Sequence, residues 1–181
     1  MTLQDLEARF ACVSVEPASY QDQQLGMVVC QEALVAARRG NYGVGAVLVN
    51  PRGTVVAQGQ NAVFYPHFRS DLHAEMVVMN AFEERHPEVD TMRGYTLLSS
   101  IEPCLMCFAR LLAAGVETVK FLAEDVWGGM VNHRQHLPAA WQRLGQRQAI
   151  GQAEVSESLR QFALDVFRVT LDACRQKLWS R

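Results

Sequence analysis

The sequence predicts an α/β fold in which helices cover both faces of a sheet that contains parallel neighbours. Three observations lead there. In the second half of the chain, apolar runs of strand length alternate with segments of helical period, the order expected of strand–helix–strand units. The run Gly45-Ala46-Val47-Leu48-Val49 is continuously apolar, as a strand buried on both faces would be. The 181 residues, 49% hydrophobic and 20% charged, are enough for one sizeable core. No repeat, low-complexity tract or linker breaks the chain, so a single domain over 1–181 is expected.

The elements follow in order. Residues 20–39 carry Leu25, Val28, Val29 and Leu34 at helical spacing, with Arg38 and Arg39 suited to the negative helix end and Gly40 to a left-handed stop. A hairpin comes next: strand 45–49, a turn at Asn50-Pro51-Arg52-Gly53, and a return at 54–59. A loop runs from Asn61 to about Leu72. Residues 73–85 read as a helix ended by His86-Pro87. Residues 95–100 read as a buried strand. A helix is expected to open at Pro103-Cys104, since proline suits a first turn, and to stop at Gly115. Residues 117–123 form a strand, 124–137 an irregular stretch, 138–146 a short helix and 148–155 a last strand. Ser156 caps a final helix striped by Leu159, Phe162, Ala163, Val166 and Phe167.

Composition excludes several classes. No apolar run approaches the roughly 20 residues of a membrane helix. Asp5 and Glu7 stand where a secretory leader would be basic then apolar, so the cytoplasm is the expected compartment. Five cysteines, an odd number, argue against a disulfide framework. Net charge is -2, which gives no general case for nucleic acid, but the charge is uneven. Residues 134–181 carry eight Arg or Lys against four Asp or Glu, while 1–133 carry nine against fifteen. The acidic body should repel a polyanion unless the basic end faces the site.

The chemistry is concentrated in His73-Ala74-Glu75 and Pro103-Cys104-Leu105-Met106-Cys107. Cys104 and Cys107, three apart in a first helical turn, fall on one face. Unpaired backbone N–H groups there favour thiolates, the form in which cysteine binds zinc. His73 opens another helix. Two converging helix ends can place one nitrogen and two sulfurs around a tetrahedral ion. Structural zinc sites usually have four protein ligands, whereas three leave a position for water, as in a catalytic site. His67, His86, His133 and His136 are the candidates for a fourth, and spacing alone excludes none of them. In mid-helix, Glu75 would point away from His73. In a first turn both side chains can reach the helix end, where a carboxylate can move protons. The alternative readings are a redox Cys pair, a solvated Glu75, and Asn61 as a plain turn residue. Trp127-Gly128-Gly129-Met130 reads equally as a pocket flap or an ordinary loop.

The paired H-x-E and P-C-x-x-C motifs resemble the signature of zinc nucleobase deaminases. With Val44–Val49, Gly59-Gln60-Asn61 and Glu102–Cys107, the sequence resembles the cytidine and deoxycytidylate deaminase superfamily from about Gln24 to Glu124. Within it, the chain is most similar to the branch of guanine deaminase, cytosine deaminase and bacterial tRNA adenosine deaminase. The resemblance implies a three-layer α/β/α sandwich around a mixed five-stranded sheet, and often a homodimer. It implies one Zn2+ on His73, Cys104 and Cys107, and Glu75 as the proton shuttle. It assigns substrate contacts to the Asn61 side chain and the Ala74 backbone carbonyl, and oxyanion support to the Cys104 backbone N–H. The expected activity is hydrolytic deamination of a purine or pyrimidine base or nucleoside. The alternatives are tRNA adenosine deamination and, from another class, a catalytically silent zinc module for binding or dimerisation.

Overall fold

The computed structural model describes residues 2–13 and 19–181. Its elements are α1 (Leu3–Val13), α2 (Gln23–Arg38), β1 (Gly45–Val49), β2 (Val55–Gln60), α3 (Ala74–Arg85), β3 (Thr96–Ile101), α4 (Leu105–Ala114), β4 (Thr118–Ala123), a 3-10 helix (Val131–His136), α5 (Ala139–Gly145), β5 (Ala149–Gln152) and α6 (Glu157–Trp179). The five strands lie in the order β2-β1-β3-β4-β5. β1 is antiparallel to β2 and β3, whereas β3, β4 and β5 are parallel. The sheet is therefore mixed. Its parallel half is the part of the chain where strands and helices alternate.

Side-chain alternation makes the three layers. Val47, Val49, Leu98 and Leu122 face one side and pack on Leu6 of α1, Val29 and Ala33 of α2, and Leu159 and Phe162 of α6. Ala46, Leu48, Leu97 and Val119 face the other side, against Val78, Met79 and Phe82 of α3 and Leu111 of α4. Both faces of β1 are covered, so all five of its residues are buried. Gly45 permits the closest approach of α2: a Cβ there would lie 2.3 Å from the Val29 carbonyl oxygen.

Local codes act as read. Asn50 Oδ1 accepts from the Arg52 and Thr54 N–H groups, and Gly53 takes φ +77° to close the hairpin. Gly115 ends α4 at φ 71°, and the Ser156 side chain accepts from Leu159 N–H to start α6. Two readings need correction. Helix α1 was not anticipated, although Leu3, Leu6, Phe10 and Val13 keep helical spacing. Thr2 and Asp5 also form a reciprocal cap, with Asp5 N–H donating to Thr2 Oγ1 and Thr2 N–H to Asp5 Oδ2. Helix α4 opens at Leu105 rather than at Pro103-Cys104. Cys104 stays extended (φ -69°, ψ 173°) because the chain there pairs with Gly129, and Met130 N–H donates to Pro103 O at 2.9 Å.

Candidate active site

The register brings three strand ends to one edge of the sheet. Gly45 at the start of β1 is opposite Gln60 at the end of β2, and Ala46 is opposite Ser99 near the end of β3. Gly45 N–H donates to Ser100 Oγ at 3.1 Å, which fastens the two strands there. From this edge the chain turns into α4, and α3 begins beside it. His73 and Cys104 occupy the same position in their helices: each is the extended residue just before the first turn. Each helix therefore points its unpaired N–H groups toward the same place.

The cap positions also resolve the spacing problem in His73-Ala74-Glu75. His73 (φ -67°, ψ 156°) lies outside the helix, so the 100° rotation per residue does not apply between it and Glu75. The ligand atoms of His73, Cys104 and Cys107 lie within 4.8 Å of one another, and His73 Nδ1 is 3.5 Å from Cys104 Sγ. Zinc–nitrogen and zinc–sulfur bonds of about 2.1 and 2.3 Å set a tetrahedral edge of about 3.6 Å, so this donor set fits zinc. Among the described residues none of His67, His86, His133 or His136 joins the group.

The electrostatics suit a cation. A hydrogen bond from Cys107 holds the Cys104 thiol down to about 4, against partial desolvation and with help from His73. The same bond, burial and the nearby Glu75 push the Cys107 thiol well up. Burial alone would lower His73, but its hydrogen bond to Cys104 and the charges of Cys104, Glu75 and Asp71 raise it. Glu75 is 4% exposed; burial, then the Cys104 charge, raises its carboxyl above the usual range. Ser99 Oγ donates to Glu75 Oε1 at 3.2 Å. Its own backbone N–H and the Cys107 thiol also donate to it; even so, a buried carboxylate with only neutral donors is costly for the fold and well suited to proton transfer.

These groups open on a cavity of about 410 Å³ bordered by Asn61, His73, Glu75 and Cys104. Asn61 is 2% exposed; its Oδ1 accepts from Val63 N–H at 3.2 Å, so it is a turn residue and a cavity residue at once. Ala74 is fully buried as the first residue of α3. Among the described residues the Cys104 N–H has no acceptor.

Sequence reading left three further contributors without a role. Ser99 holds Glu75. Glu102 is a buried carboxylate that borders the cavity and accepts from the loop at 125–132. Phe167, Leu171, Arg175 and Leu178 of α6 form one wall. The end of α6 is fastened to the 61–72 loop: Lys177 Nζ lies 5.3 Å from the centre of the Phe64 ring, and the Arg181 guanidinium 3.4 Å from that of Phe68. Of the charged residues in the net-positive segment, Arg175 borders the cavity. The 125–130 stretch also borders the cavity, through Asp125 and Gly128, while Trp127 is 87% exposed.

Comparison with known proteins agrees with this arrangement. The cytidine and deoxycytidylate deaminase zinc-binding region matches residues 19–123. A tRNA-specific adenosine deaminase of Bacillus subtilis is 36% identical over 111 residues, covering 60% of this chain and 66% of that protein. A tRNA(Ile)-lysidine synthase of Deinococcus deserti is 31% identical over 140 residues, covering 68% of this chain and 24% of that protein. The chain therefore spans just under two thirds of the first relative and about a quarter of the second. A solved guanine deaminase from Nitrosomonas europaea superposes with a TM-score of 0.62 at 19% identity, over 88% of this chain and 92% of that one, a likeness of fold. The match spans more than half of the residues and contains all three converging ligands and Glu75; the chain belongs to the cytidine and deoxycytidylate deaminase zinc-binding family.

Proposed function

We propose that the chain is a zinc-dependent hydrolase that releases ammonia from an exocyclic amine of a nucleobase, taken up as a purine or pyrimidine base or nucleoside of the guanine or cytosine kind. The observation that carries this reading is a buried carboxylate, Glu75, beside a set of three zinc-type donors, bordering a cavity of about 410 Å³ that has room for a base or nucleoside. His73, Cys104 and Cys107 hold the metal. Zinc supplies Lewis acidity, which makes water a usable nucleophile near neutral pH. Glu75 takes the proton from the attacking water and delivers it to the ring nitrogen next to the amine-bearing carbon. It then takes the proton of the newly added hydroxyl and passes it to the amine, whose bond to carbon breaks as the carbonyl forms, so that ammonia leaves. The Cys104 N–H, which has no acceptor among the described residues, is free to donate to the oxygen that gains charge. Asn61 keeps its amide NH2 for the substrate ring, and the Ala74 carbonyl is the second ring contact that the family resemblance suggests. A silent zinc module has no use for a buried Glu75. We also place the protein in the cytoplasm and read it as one domain on its composition, and as a homodimer on the family resemblance.

A second reading, adenosine in tRNA, is favoured by one observation: Arg175 borders the cavity, and Lys177 and Arg181 lie close by in sequence, over the Phe64 and Phe68 rings of the 61–72 loop. Two relatives act on tRNA by name. The test runs a panel of bases and nucleosides beside tRNA at low and moderate salt. Ammonia is read from the small molecules and inosine from the RNA. Ammonia from a free base or nucleoside supports the main reading. Inosine with no such ammonia replaces it by the second.

A further inference from the structure

The geometry points to Glu102 as a positioning residue that clamps the 125–132 loop across the Pro103-Cys104 turn and so sets the shape of the metal-ligand corner; this rests on reading His73, Cys104 and Cys107 as the metal site. Glu102 is 4% exposed although it borders the cavity. Both carboxylate oxygens are engaged. Oε2 accepts from Asp125 N–H at 3.2 Å, and Oε1 accepts from Asn132 N–H at 3.0 Å. Its own N–H donates to Ala123 O at 2.8 Å, which fixes it to the end of β4. One side chain therefore holds both ends of the loop.

The loop returns the constraint to the metal corner. Met130 N–H donates to Pro103 O, and Gly129 pairs with Cys104, which keeps Cys104 extended ahead of α4. In that conformation Sγ reaches His73 and the N–H has no acceptor among the described residues. The approach is tight enough to demand glycine: a Cβ on Gly129 would lie 2.3 Å from Glu102 Cδ. Only a carboxylate offers acceptors on both sides. A glutamine would turn an NH2 group toward one of the two backbone donors. Asp125 and Gly128, which border the cavity, are carried by the same clamp.

Glu102→Gln and Gly129→Ala test this in the full chain, with Glu102→Asp as the conservative variant. Four readouts are taken: zinc per chain, the visible spectrum of the cobalt(II)-substituted protein, amide exchange, and the steady-state kinetics. Glu102→Gln should keep its zinc but shift the cobalt bands. Amides of the 125–132 loop should exchange about tenfold faster or more, while α2 and α3 stay as in the parent. Glu102→Asp, one methylene shorter, should fall between the two. Gly129→Ala should give the same loop signature with Glu102 in place, and it decides the matter if Glu102→Gln does not fold. The kcat on the substrate found by the panel should drop more than KM changes. Unchanged loop exchange and cobalt bands in the folded variant would overturn the assignment. Neither readout involves a substrate, so failure of the nucleobase reading leaves both standing.

Discussion

Replacing Glu75 by glutamine separates function from stability. Glu75→Gln keeps the shape and an acceptor for Ser99 Oγ, 3.2 Å away, but cannot carry a proton. General acid–base catalysis contributes about 10²–10⁴-fold, which is about 2.7–5.4 kcal/mol at 1.36 kcal/mol per decade. The other carboxylates on the cavity are poorly placed to substitute. Both oxygens of Glu102 accept loop N–H groups, and Asp125 Oδ1 accepts from Trp127 N–H. The loss of kcat should therefore reach at least that range. Stability should move the other way. The folded state raises the Glu75 pKa, so its contribution is full below the unfolded value and is lost as pH rises through the folded one. Above that window the wild type carries a buried charge that glutamine lacks. Metal-free Glu75→Gln should thus melt higher than metal-free wild type at neutral pH and level with it in acid. Each 1 kcal/mol recovered shows as about 2–4 °C in a chain of this size. The assay pairs ammonia release by the zinc-loaded proteins with calorimetric melts of the metal-free ones across pH. A variant that is zinc-replete and near normal in rate, or one that melts lower at neutral pH, refutes the reasoning.

Two further outcomes follow from the same geometry. Asn61→Asp keeps the acceptor for Val63 N–H but loses the amide donor, whereas Asn61→Ala loses both. Both should lower kcat/KM by about 5–150-fold, the equivalent of roughly 1–3 kcal/mol, with zinc content intact. If only Asn61→Ala is impaired, the residue serves the turn alone. Zinc uptake by the metal-free protein at pH 7.5 should release at least one proton per metal, measured by calorimetry in buffers of different ionisation enthalpy. Cys104, held down to about 4, has none to give, while the Cys107 thiol, raised well above its usual value, does. Affinity should therefore increase with pH, and uptake without proton release would contradict the assignment of the thiol to Cys107.

Much of the site was legible because its codes are local. Two cysteines three apart after a proline, and a histidine two before a glutamate, each need only one helix start to be presented together. The hairpin turn at Asn50–Gly53, the glycine stop at Gly115 and the Ser156 cap are similarly self-contained. The cap positions of His73 and Cys104 were less legible, because extended backbone before a helix depends on what pairs with it. For Cys104 that partner is Gly129, 25 residues away. Helix α1 shows the opposite case: its spacing and its Thr2–Asp5 cap are both local and stand in the sequence.

By itself the sequence determined an α/β layering, the His73, Cys104 and Cys107 group that could hold a metal ion, and the family, since periodicity and motif spacing survive without knowledge of distant neighbours. The tertiary structure decided the strand order, the use of the far end of α6 as a cavity wall, and the double engagement of Glu102. Each of those depends on segments that meet only after the chain has closed loops of tens of residues, and the cost of such closure varies too weakly with length for spacing to reveal which segments meet.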